Sequence, residues 1–366
     1  MSSQVIISKS ALLHNLRAFR RAIGDVWVMA VVKSNAYGHG MIPMAQAVEG
    51  LTDWFGVVSG SEALVLRKAG IKKPILVLSF YDSNQIVELV KHKISLAVYD
   101  LKQAQAISAA AKKFKITANI HLKVDTGTSR LGIFSPAVVS FVEKLLHLPN
   151  IKIEGVFSHF AASEENLDFT FKQDVWFSSV IEELEWRGVD PIQHIACTAA
   201  SVVAPKSRHC MVRLGIGLYG LWPSIQAQKR ANFALKPALG WQTGVIQVKD
   251  LLKGANVGYG LSYKTKRPTK LAILPVGYFD GYDRKLSNQG EVLIGGKRCK
   301  VLGRVCMNLI MVDVTDVTNV KIGDTAVLIG RQGREEITAD ELAKKIGTIN
   351  YEVVTRINPL IPRIIK

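Results

Sequence analysis

A lysine directly follows an apolar stretch near the N-terminus of the sequence. Residues 26–32 are all apolar, and Lys33 comes next, ahead of the segment Ser34-Asn-Ala-Tyr-Gly-His-Gly40. An amine at the end of a buried strand is costly to keep charged, and desolvation lowers its pKa. A neutral amine can attack a carbonyl group and form a Schiff base. Position alone favours a lysine whose stem is buried and whose amine reaches solvent.

A second lysine lies inside another apolar stretch. His121, Lys123 and Asp125 alternate along it, and the two-residue period of a strand places them on one face. Arg130 follows a few residues later and adds positive charge. Two explanations fit this pattern: Lys123 is modified to an anion, or it forms a simple ion pair with Asp125.

Other apolar stretches end in polar residues that suit an anionic ligand. His159 ends one stretch, Thr198 ends another, and Arg213 lies within a third. A guanidinium in an apolar strand needs a planar acceptor or an anion, and Gly215 and Gly217 after it allow backbone N–H groups to approach a phosphate closely. These stretches together predict a carbonyl-reactive amine, a phosphate cradle and a buried cation.

A metal site is the alternative for the same residues. His121, Asp125 and His159 are metal-binding residue types, but their spacing matches no established ligand motif. We therefore predict no metal.

The first part of the chain alternates between short apolar stretches and helix-period segments. Eight predicted strands are Trp27–Lys33, Trp54–Ser59, Pro74–Ser79, Ile94–Tyr99, Ala118–Asp125, Ile153–His159, Ile192–Cys197 and Val212–Tyr219. Near-continuous apolar strands are typical of sheets buried on both faces, and this alternation predicts an α/β fold, a closed parallel (β/α)8 TIM-like barrel. An open, doubly wound sheet is the alternative. In a barrel, the functional groups lie on the loops after the strands.

The alternation stops after Pro237, and the remaining sequence is predicted to be a mainly-β domain. Its strands are Val245–Lys249, Leu271–Pro275, Glu291–Ile294, Lys300–Leu302, Ile310–Val314 and Ala326–Ile329. One helix is predicted over Thr338–Ile346, where Thr338 and Glu341 form a capping box and Gly347 ends the helix. We place the domain boundary between residues 232 and 233.

Composition limits the classes of protein to which the chain can belong. With 366 residues, 48% of them apolar and 21% charged, it is expected to fold into two domains with a large core. No apolar run is long enough to cross a bilayer, no secretory signal is visible, and four cysteines without a C-x-x-C pair suit the cytoplasm. The net charge of +17 fits a nucleic-acid or anionic-membrane partner, or a solvated basic surface. Because no stacking aromatics accompany the basic clusters, we predict neither a nucleic-acid nor a membrane partner.

Nine phrases of the sequence resemble those of the alanine racemases, and they occur in that family's order. They are AVVKSNAYGHG, KVDTGTSRLG, GVFSHFA, HIACTAAS, MVRLGIGLYG, VGYGLSY, PVGYFDGY, VLGRVCMN and INYEV. The resemblance implies a pyridoxal 5'-phosphate enzyme with an N-terminal barrel and a C-terminal β domain. It also implies interconversion of L- and D-alanine, which supplies D-alanine for peptidoglycan.

Cofactor contacts follow from the resemblance position by position. Lys33 resembles the lysine that holds the cofactor as an internal aldimine, and Arg213 is similar to the arginine that faces the pyridine nitrogen. The implied phosphate cradle consists of Tyr37, Thr198, Gly215, Ile216 and Tyr351. A guanidinium cannot accept a proton, so the ring nitrogen stays unprotonated and transamination is suppressed relative to racemisation.

Racemisation needs a proton removed from one face of the α-carbon and one delivered to the other. Lys33 is the candidate base for one face, and Tyr259 resembles the family's second base. His159, linked onward to Arg213 and His194, is the implied group that assists deprotonation of the phenol. The family supplies this tyrosine from a second subunit, which implies a head-to-tail homodimer with shared active sites.

Substrate contacts are implied in the same way. Arg130, helped by the backbone N–H of Met307, looks like the partner of the substrate carboxylate, and Lys123 resembles a lysine that is often carbamylated. Tyr278, Tyr282 and Tyr351 resemble an aromatic constriction at the entrance that favours alanine over larger amino acids.

Three departures from the family pattern bear on substrate preference: Thr128, Cys197 and Asn308 stand where methionine, asparagine and aspartate are usual. They leave open a broader-specificity or serine-preferring racemase. A pyridoxal-phosphate carrier protein is the alternative outside enzymes, and such proteins resemble the barrel alone. A decarboxylase or a Schiff-base aldolase fits less well, because Arg213 and Tyr259 have no counterpart there.

Overall fold

The structure, a computed structural model, describes residues 3–366 and divides them into two compact units. The first unit contains residues 11–36 and 41–236. The second contains residues 3–10, 37–40 and 237–366. The division is therefore not a single cut in the chain, in contrast to the predicted boundary after residue 232.

Eight parallel strands form the centre of the first unit. They are Trp27–Val31, Trp54–Ser59, Ile75–Phe80, Ser95–Val98, Ala118–Asp125, Ile151–Phe157, Ile192–His194 and Met211–Leu214. The first seven strands pair in the order of the chain, and the eighth pairs with the first. A single parallel bridge, between Cys197 and Arg213, links the seventh and eighth strands, so the barrel is nearly closed. The predicted (β/α)8 fold is confirmed.

Helices follow most barrel strands. The α-helices of this part of the chain are Lys9–Ile23, Met41–Val48, Gly60–Lys68, Ile86–Lys91, Leu101–Phe114, Val138–Leu146, Leu167–Trp186, Thr198–Val203 and Ile225–Arg230, and a two-residue strand, Ile133–Phe134, lies beside the fifth barrel strand. Side chains of Ser59, Asp100 and Asn166 accept hydrogen bonds from the first turns of the helices that follow them. An N-cap side chain of this kind fixes the residue at which the helix begins.

Four barrel strands are shorter than predicted, and two of them, the first and the eighth, end where the chain turns. The first ends at Val31, two residues before Lys33. The eighth ends at Leu214, since Gly215 adopts φ −99° and ψ −109° and leads into a 3₁₀ turn over Ile216–Tyr219.

The second unit is mainly β, as predicted. Its strands are Gln4–Ile7, Leu239–Gly244, Gln247–Leu251, Asn256–Val257, Tyr263–Lys264, Thr269–Leu274, Glu291–Ile294, Lys297–Lys300, Ile310–Asp313, Thr325–Gln332, Glu335–Ile337 and Arg363–Ile365. They form a seven-stranded sheet, a three-stranded sheet and a two-stranded hairpin. The predicted helix spans Ala339–Ile346 with Thr338 as its N-cap, and a second helix spans Asn350–Thr355.

Two short segments join the second unit from the N-terminal part of the sequence. Strand Gln4–Ile7 pairs antiparallel with Leu239–Gly244 and parallel with Arg363–Ile365. In residues 37–40, Gly38 has φ +83°, and a Cβ on it would collide with the carbonyl oxygen of Val354. Only glycine allows this close backbone approach.

Candidate active site

Lys33 is held at the start of an unusual backbone turn after the first barrel strand. Ser34, Asn35 and Ala36 all adopt left-handed conformations, with φ of 55°, 53° and 53°. Consecutive non-glycine residues in this region are rare, since each costs about 1–2 kcal/mol. One contact that holds the turn is the hydrogen bond from the Ser34 N–H to a carboxylate oxygen of Glu62, at 2.7 Å. Strain of this kind concentrates at functional sites.

The Lys33 amine has the electrostatics of a nucleophile. Burial lowers its pKa, the positive charges of Arg130 and Arg213 lower it further, and Glu62 opposes them. The neutral, reactive form of the amine is therefore more populated than it is in a solvated lysine.

The Arg213 guanidinium is held by residues at the carboxyl ends of the sixth and seventh barrel strands. Its Nη1 donates to the carbonyl oxygen of His194 at 2.8 Å and contacts Nδ1 of the same residue at 3.0 Å. Its Nη2 donates to the carbonyl oxygens of Ser158 and Ile195 at 2.7 and 2.9 Å, and lies 2.9 Å from Nδ1 of His159. So many acceptors hold the guanidinium plane in one orientation.

The two histidines that contact Arg213 are neutral. Burial is the main cause, and the charge of Arg213 adds to it: together they hold the pKa of His159 and of His194 well below 6.5. Uncharged imidazoles can accept hydrogen bonds from a guanidinium, whereas imidazolium ions cannot.

These histidines predict loss of stability in mild acid. The unfolded chain takes up their protons near pH 6.5, while the folded protein does so only at lower pH, so stability is full above pH 6.5 and falls as the pH is lowered. Two such groups give a slope of about 2.7 kcal/mol per pH unit, before carboxyl groups begin to titrate. Urea unfolding between pH 7.5 and 5 measures this slope, and a flat profile would contradict the assignment.

Lys123 and Asp125 lie close in sequence but serve different partners. The Lys123 amine donates to the carbonyl oxygen of Leu78 at 2.8 Å, and burial, followed by the charge of Arg213, lowers its pKa to about 7. The Asp125 carboxylate accepts hydrogen bonds from four backbone N–H groups of the following loop, residues 127–130. Among residues 3–366 no ion pair joins Lys123 to Asp125, so the simple-pair explanation is wrong.

Thr198 and the glycines after the eighth strand form a small polar corner. Thr198 Oγ1 accepts a hydrogen bond from the N–H of Gly215 at 3.0 Å, which leaves the hydroxyl proton to donate elsewhere. Ile216 begins a 3₁₀ turn, and the first N–H groups of a helical turn have no acceptor within it. Donors here suit an anion such as a phosphate.

The predicted residues of the second unit are in part exposed. Tyr259, 71% exposed, stands on a 3₁₀ turn, Tyr259–Leu261, and Met307 and Tyr278 are also exposed. Tyr37 and Tyr351 contact each other through their rings, whose centroids are 6.0 Å apart.

Tyr282 does not lie at an entrance, and that prediction is wrong. The side chain is fully buried in the core of the second unit, where its ring lies edge-on to Trp241, and its hydroxyl donates to the carbonyl oxygen of Glu291 at 3.4 Å. Burial raises the pKa of this phenol, so it is a neutral structural group.

Sequence reasoning missed two acidic residues that hold neighbouring segments in place, Glu62 and Glu154. Glu62 binds the turn after Lys33 and also accepts from the Val58 N–H at 2.9 Å. Glu154 contacts His121, which in turn contacts His194. The only sequence signal was an isolated acid within an apolar strand, Ile153-Glu154-Gly155-Val156.

The described residues provide neither a metal-binding cluster nor a membrane-spanning helix. Within residues 3–366, no group of three or more His, Cys, Asp or Glu side chains could hold a metal ion. Over the same range, no helix combines the length and apolarity that crossing a bilayer requires.

The geometry of the barrel agrees with comparisons to known protein families. The profile for the N-terminal domain of alanine racemase matches residues 7–223, and that for the C-terminal domain matches residues 238–365. This chain belongs to the alanine racemase family. It is therefore an isomerase of the racemase type, and the match to the second domain counts against a carrier protein, which would resemble the barrel alone.

Individual relatives and solved structures agree. The alanine racemase of Methanococcus maripaludis is 41% identical over 98% of this chain and 97% of its own length, and that of Halothermothrix orenii is 41% identical over 98% and 95%. Among solved structures, the alanine racemase of Clostridium difficile 630 has a TM-score of 0.94 at 33% identity, covering 100% of this chain and 96% of that one. The Bacillus anthracis alanine racemase with bound L-Ala-P has a TM-score of 0.92 at 36% identity, covering 100% and 95%.

Proposed function

We propose that this protein interconverts L-alanine and D-alanine with pyridoxal 5'-phosphate bound to Lys33, and so supplies D-alanine for peptidoglycan. The observation that carries the proposal is the Lys33 amine, with its lowered pKa, in the strained turn at the end of the first barrel strand. The alanine racemase relatives and structural neighbours support it throughout the chain.

The donor set fits this cofactor. A neutral lysine amine suits the aldehyde, Arg213 offers donors to a ring nitrogen, and Thr198 with Gly215 and Ile216 suits the phosphate. Tyr37 and Tyr351 remain predicted phosphate contacts from the resemblance. When bound, pyridoxal phosphate withdraws electrons from the α-carbon and acidifies its hydrogen.

Arg213 selects the reaction. Its guanidinium has no acceptor atom and is held by five contacts to the barrel, so it could not take up a proton from a pyridine nitrogen that faced it. With Arg213 rather than a carboxylate at that position, racemisation would be favoured over transamination.

Two bases on opposite faces move the proton. The Lys33 amine acts on one face of the α-carbon, and the Tyr259 phenol of a second subunit acts on the other. The exposure of Tyr259, on a turn between Gly258 and Gly260, supports a contact outside its own chain. His159, whose Nδ1 faces Arg213, assists the phenol, and the assembly is a homodimer with shared active sites.

Arg130 and the Met307 N–H bind the substrate carboxylate in this scheme, and Tyr278 narrows the entrance. The Asp125 carboxylate fixes the backbone at Arg130, because it accepts a hydrogen bond from the Arg130 N–H at 3.0 Å. With a pKa of about 7, the Lys123 amine is neutral in part of the molecules at neutral pH and suits carbamylation, in which the nitrogen attacks carbon dioxide and releases one proton, giving an anion beside Arg130.

We further propose that the enzyme works in the cytoplasm on a small-molecule substrate, without nucleic-acid or membrane partners. Four unpaired cysteines suit a reducing compartment.

Purification without added cofactor, followed by a visible spectrum and a D-alanine assay on L-alanine, tests the proposal. We expect a yellow protein that forms D-alanine, with a kcat/KM for alanine well above that for serine. A colourless protein that stays inactive after incubation with pyridoxal phosphate would rule the proposal out, and a preference for serine would change the substrate.

A further inference from the structure

Hydrogen bonds lead from Arg213 through two buried histidines to a carboxylate. His194, which contacts Arg213 through Nδ1, lies 2.9 Å from Nδ1 of His121 through its Nε2. His121 in turn lies 3.2 Å from a carboxylate oxygen of Glu154 through its own Nε2. We call these four residues, Arg213, His194, His121 and Glu154, the arginine relay.

The chemistry of its two ends gives the arginine relay one direction. A guanidinium only donates, so Nδ1 of His194 must accept, and the single proton of this neutral imidazole lies on Nε2. That proton is donated to Nδ1 of His121, whose own proton must then lie on Nε2 and be donated to Glu154. Any other arrangement of the protons sets two donors against each other.

The Glu154 carboxylate, the acceptor at the end of the relay, is surrounded by hydrogen-bond donors. Besides His121, Ser95 Oγ donates to it at 2.6 Å and Asn119 Nδ2 donates at 2.5 Å. Burial acts to raise the pKa of its carboxyl, but the hydrogen bonds from His121 and Ser95 outweigh burial and the pKa is lowered. The group is thus an anion surrounded by donors.

Gly155 leaves room for the His121 ring because it has no Cβ atom. A Cβ on Gly155 would collide with Nδ1 of His121, and would lie 2.9 Å from the carbonyl oxygen of Ile192. Glycine next to Glu154 therefore lets the His121 ring pack against the sixth strand in the orientation that reaches both of its partners.

We propose that Glu154 is a positioning residue for racemisation: its carboxylate accepts the last proton of the relay, stabilises the His121 and His194 tautomers that the Arg213 end requires, and so helps to hold the Arg213 guanidinium in its orientation. The tautomers stand on geometry alone. The consequence for catalysis rests on the proposed function, in which Arg213 faces the cofactor ring.

The test compares Glu154→Leu, which removes the acceptor, with Glu154→Gln, whose amide oxygen still accepts from His121. The first readout is ¹⁵N NMR of the histidine-labelled holoenzyme, which reports the protonated ring nitrogen of each imidazole. We expect Nε2-protonated His121 and His194 in the wild type and in Glu154→Gln, and altered signals for at least one of them in Glu154→Leu. Nδ1 protonation of His194 in the wild type overturns the proposal without any variant.

The second readout is the split between kcat and KM for alanine. In Glu154→Leu we expect kcat to fall about 10- to 100-fold, as for hydrogen-bonded partners of metal-ligating histidines, while KM changes less than about threefold. Glu154→Gln should keep most of the activity. Equal losses in both variants would contradict a role for the acceptor.

Ser95→Ala is the matched control, because it removes one donor to Glu154 and leaves the relay intact. Wild-type histidine signals and near-wild-type kcat are expected; a loss as large as in Glu154→Leu would show that packing alone matters. If the wild type does not racemise alanine, the proposed function fails, while the tautomer measurement still decides the relay.

Discussion

Replacing Lys33 by alanine is expected to abolish racemisation. The variant loses both the amine that binds the aldehyde and the base for one face of the α-carbon. A base alone contributes about 10²–10⁴-fold, so kcat/KM should fall by more than about 10⁴-fold. The visible absorbance of the lysine-bound cofactor should disappear as well. Both are measured on the purified variant, by absorbance spectroscopy and a coupled D-alanine assay.

Lys113→Ala provides the control for this result, because Lys113 is an exposed lysine on helix Leu101–Phe114 of the same unit. Wild-type colour and rate are expected there. Retained racemisation in Lys33→Ala would remove the amine from its central place in the mechanism.

Replacing Tyr259 by phenylalanine is expected to lower kcat by about 10²–10⁴-fold, since one face of the α-carbon loses its base. The equilibrium constant between enantiomers is fixed at one, so kcat/KM must stay equal in the two directions and cannot identify the lost base. The α-deuterium isotope effects can do so. We expect them to become unequal for L-alanine and D-alanine.

Tyr263→Phe is the matched control, because Tyr263 lies four residues further on, in the hairpin with Asn256–Val257. It should retain near-wild-type rates and equal isotope effects. Symmetrical isotope effects together with near-wild-type rates in Tyr259→Phe would contradict the two-base scheme.

Much of the barrel could be predicted because its strands are buried on both faces. Strands Trp54–Ser59 and Ala118–Asp125 have the predicted bounds: the first is a near-continuous apolar run, and in the second apolar and polar residues alternate with the two-residue period of a strand. Strands Gln4–Ile7 and Arg363–Ile365 were missed. They are short, and each is stabilised by partners far away in the sequence, which no local pattern shows.

The candidate site was predictable where a charge stands in an apolar strand. Lys33 and Arg213 could be selected because a charge in an apolar stretch is costly to bury unless it has a partner or a function. In the structure both side chains have buried surroundings. Tyr282 shows the limit of this reasoning. Tyr278 and Tyr282 each follow a glycine in one phrase, yet only the structure shows that Tyr278 is exposed and Tyr282 lies in the core.

Glu154 could not be assigned from the sequence because its function depends on three other strands. His121 reaches it, and His194 and Arg213 are linked to it through His121, only once the barrel is formed. The left-handed turn after Lys33 could not be predicted from the sequence either, because Ser34-Asn35-Ala36 contains no glycine, the residue that usually indicates this conformation.

Mixing the two inactive variants tests the central claim most directly: that each active site combines Lys33 of one subunit with Tyr259 of the other. Lys33→Ala and Tyr259→Phe subunits are unfolded together, refolded at equal concentration and assayed on L-alanine. Half of the resulting dimers should be hybrids with one intact site, so random pairing in a two-fold dimer predicts about a quarter of wild-type activity. A mixture no more active than its two parents would contradict shared sites.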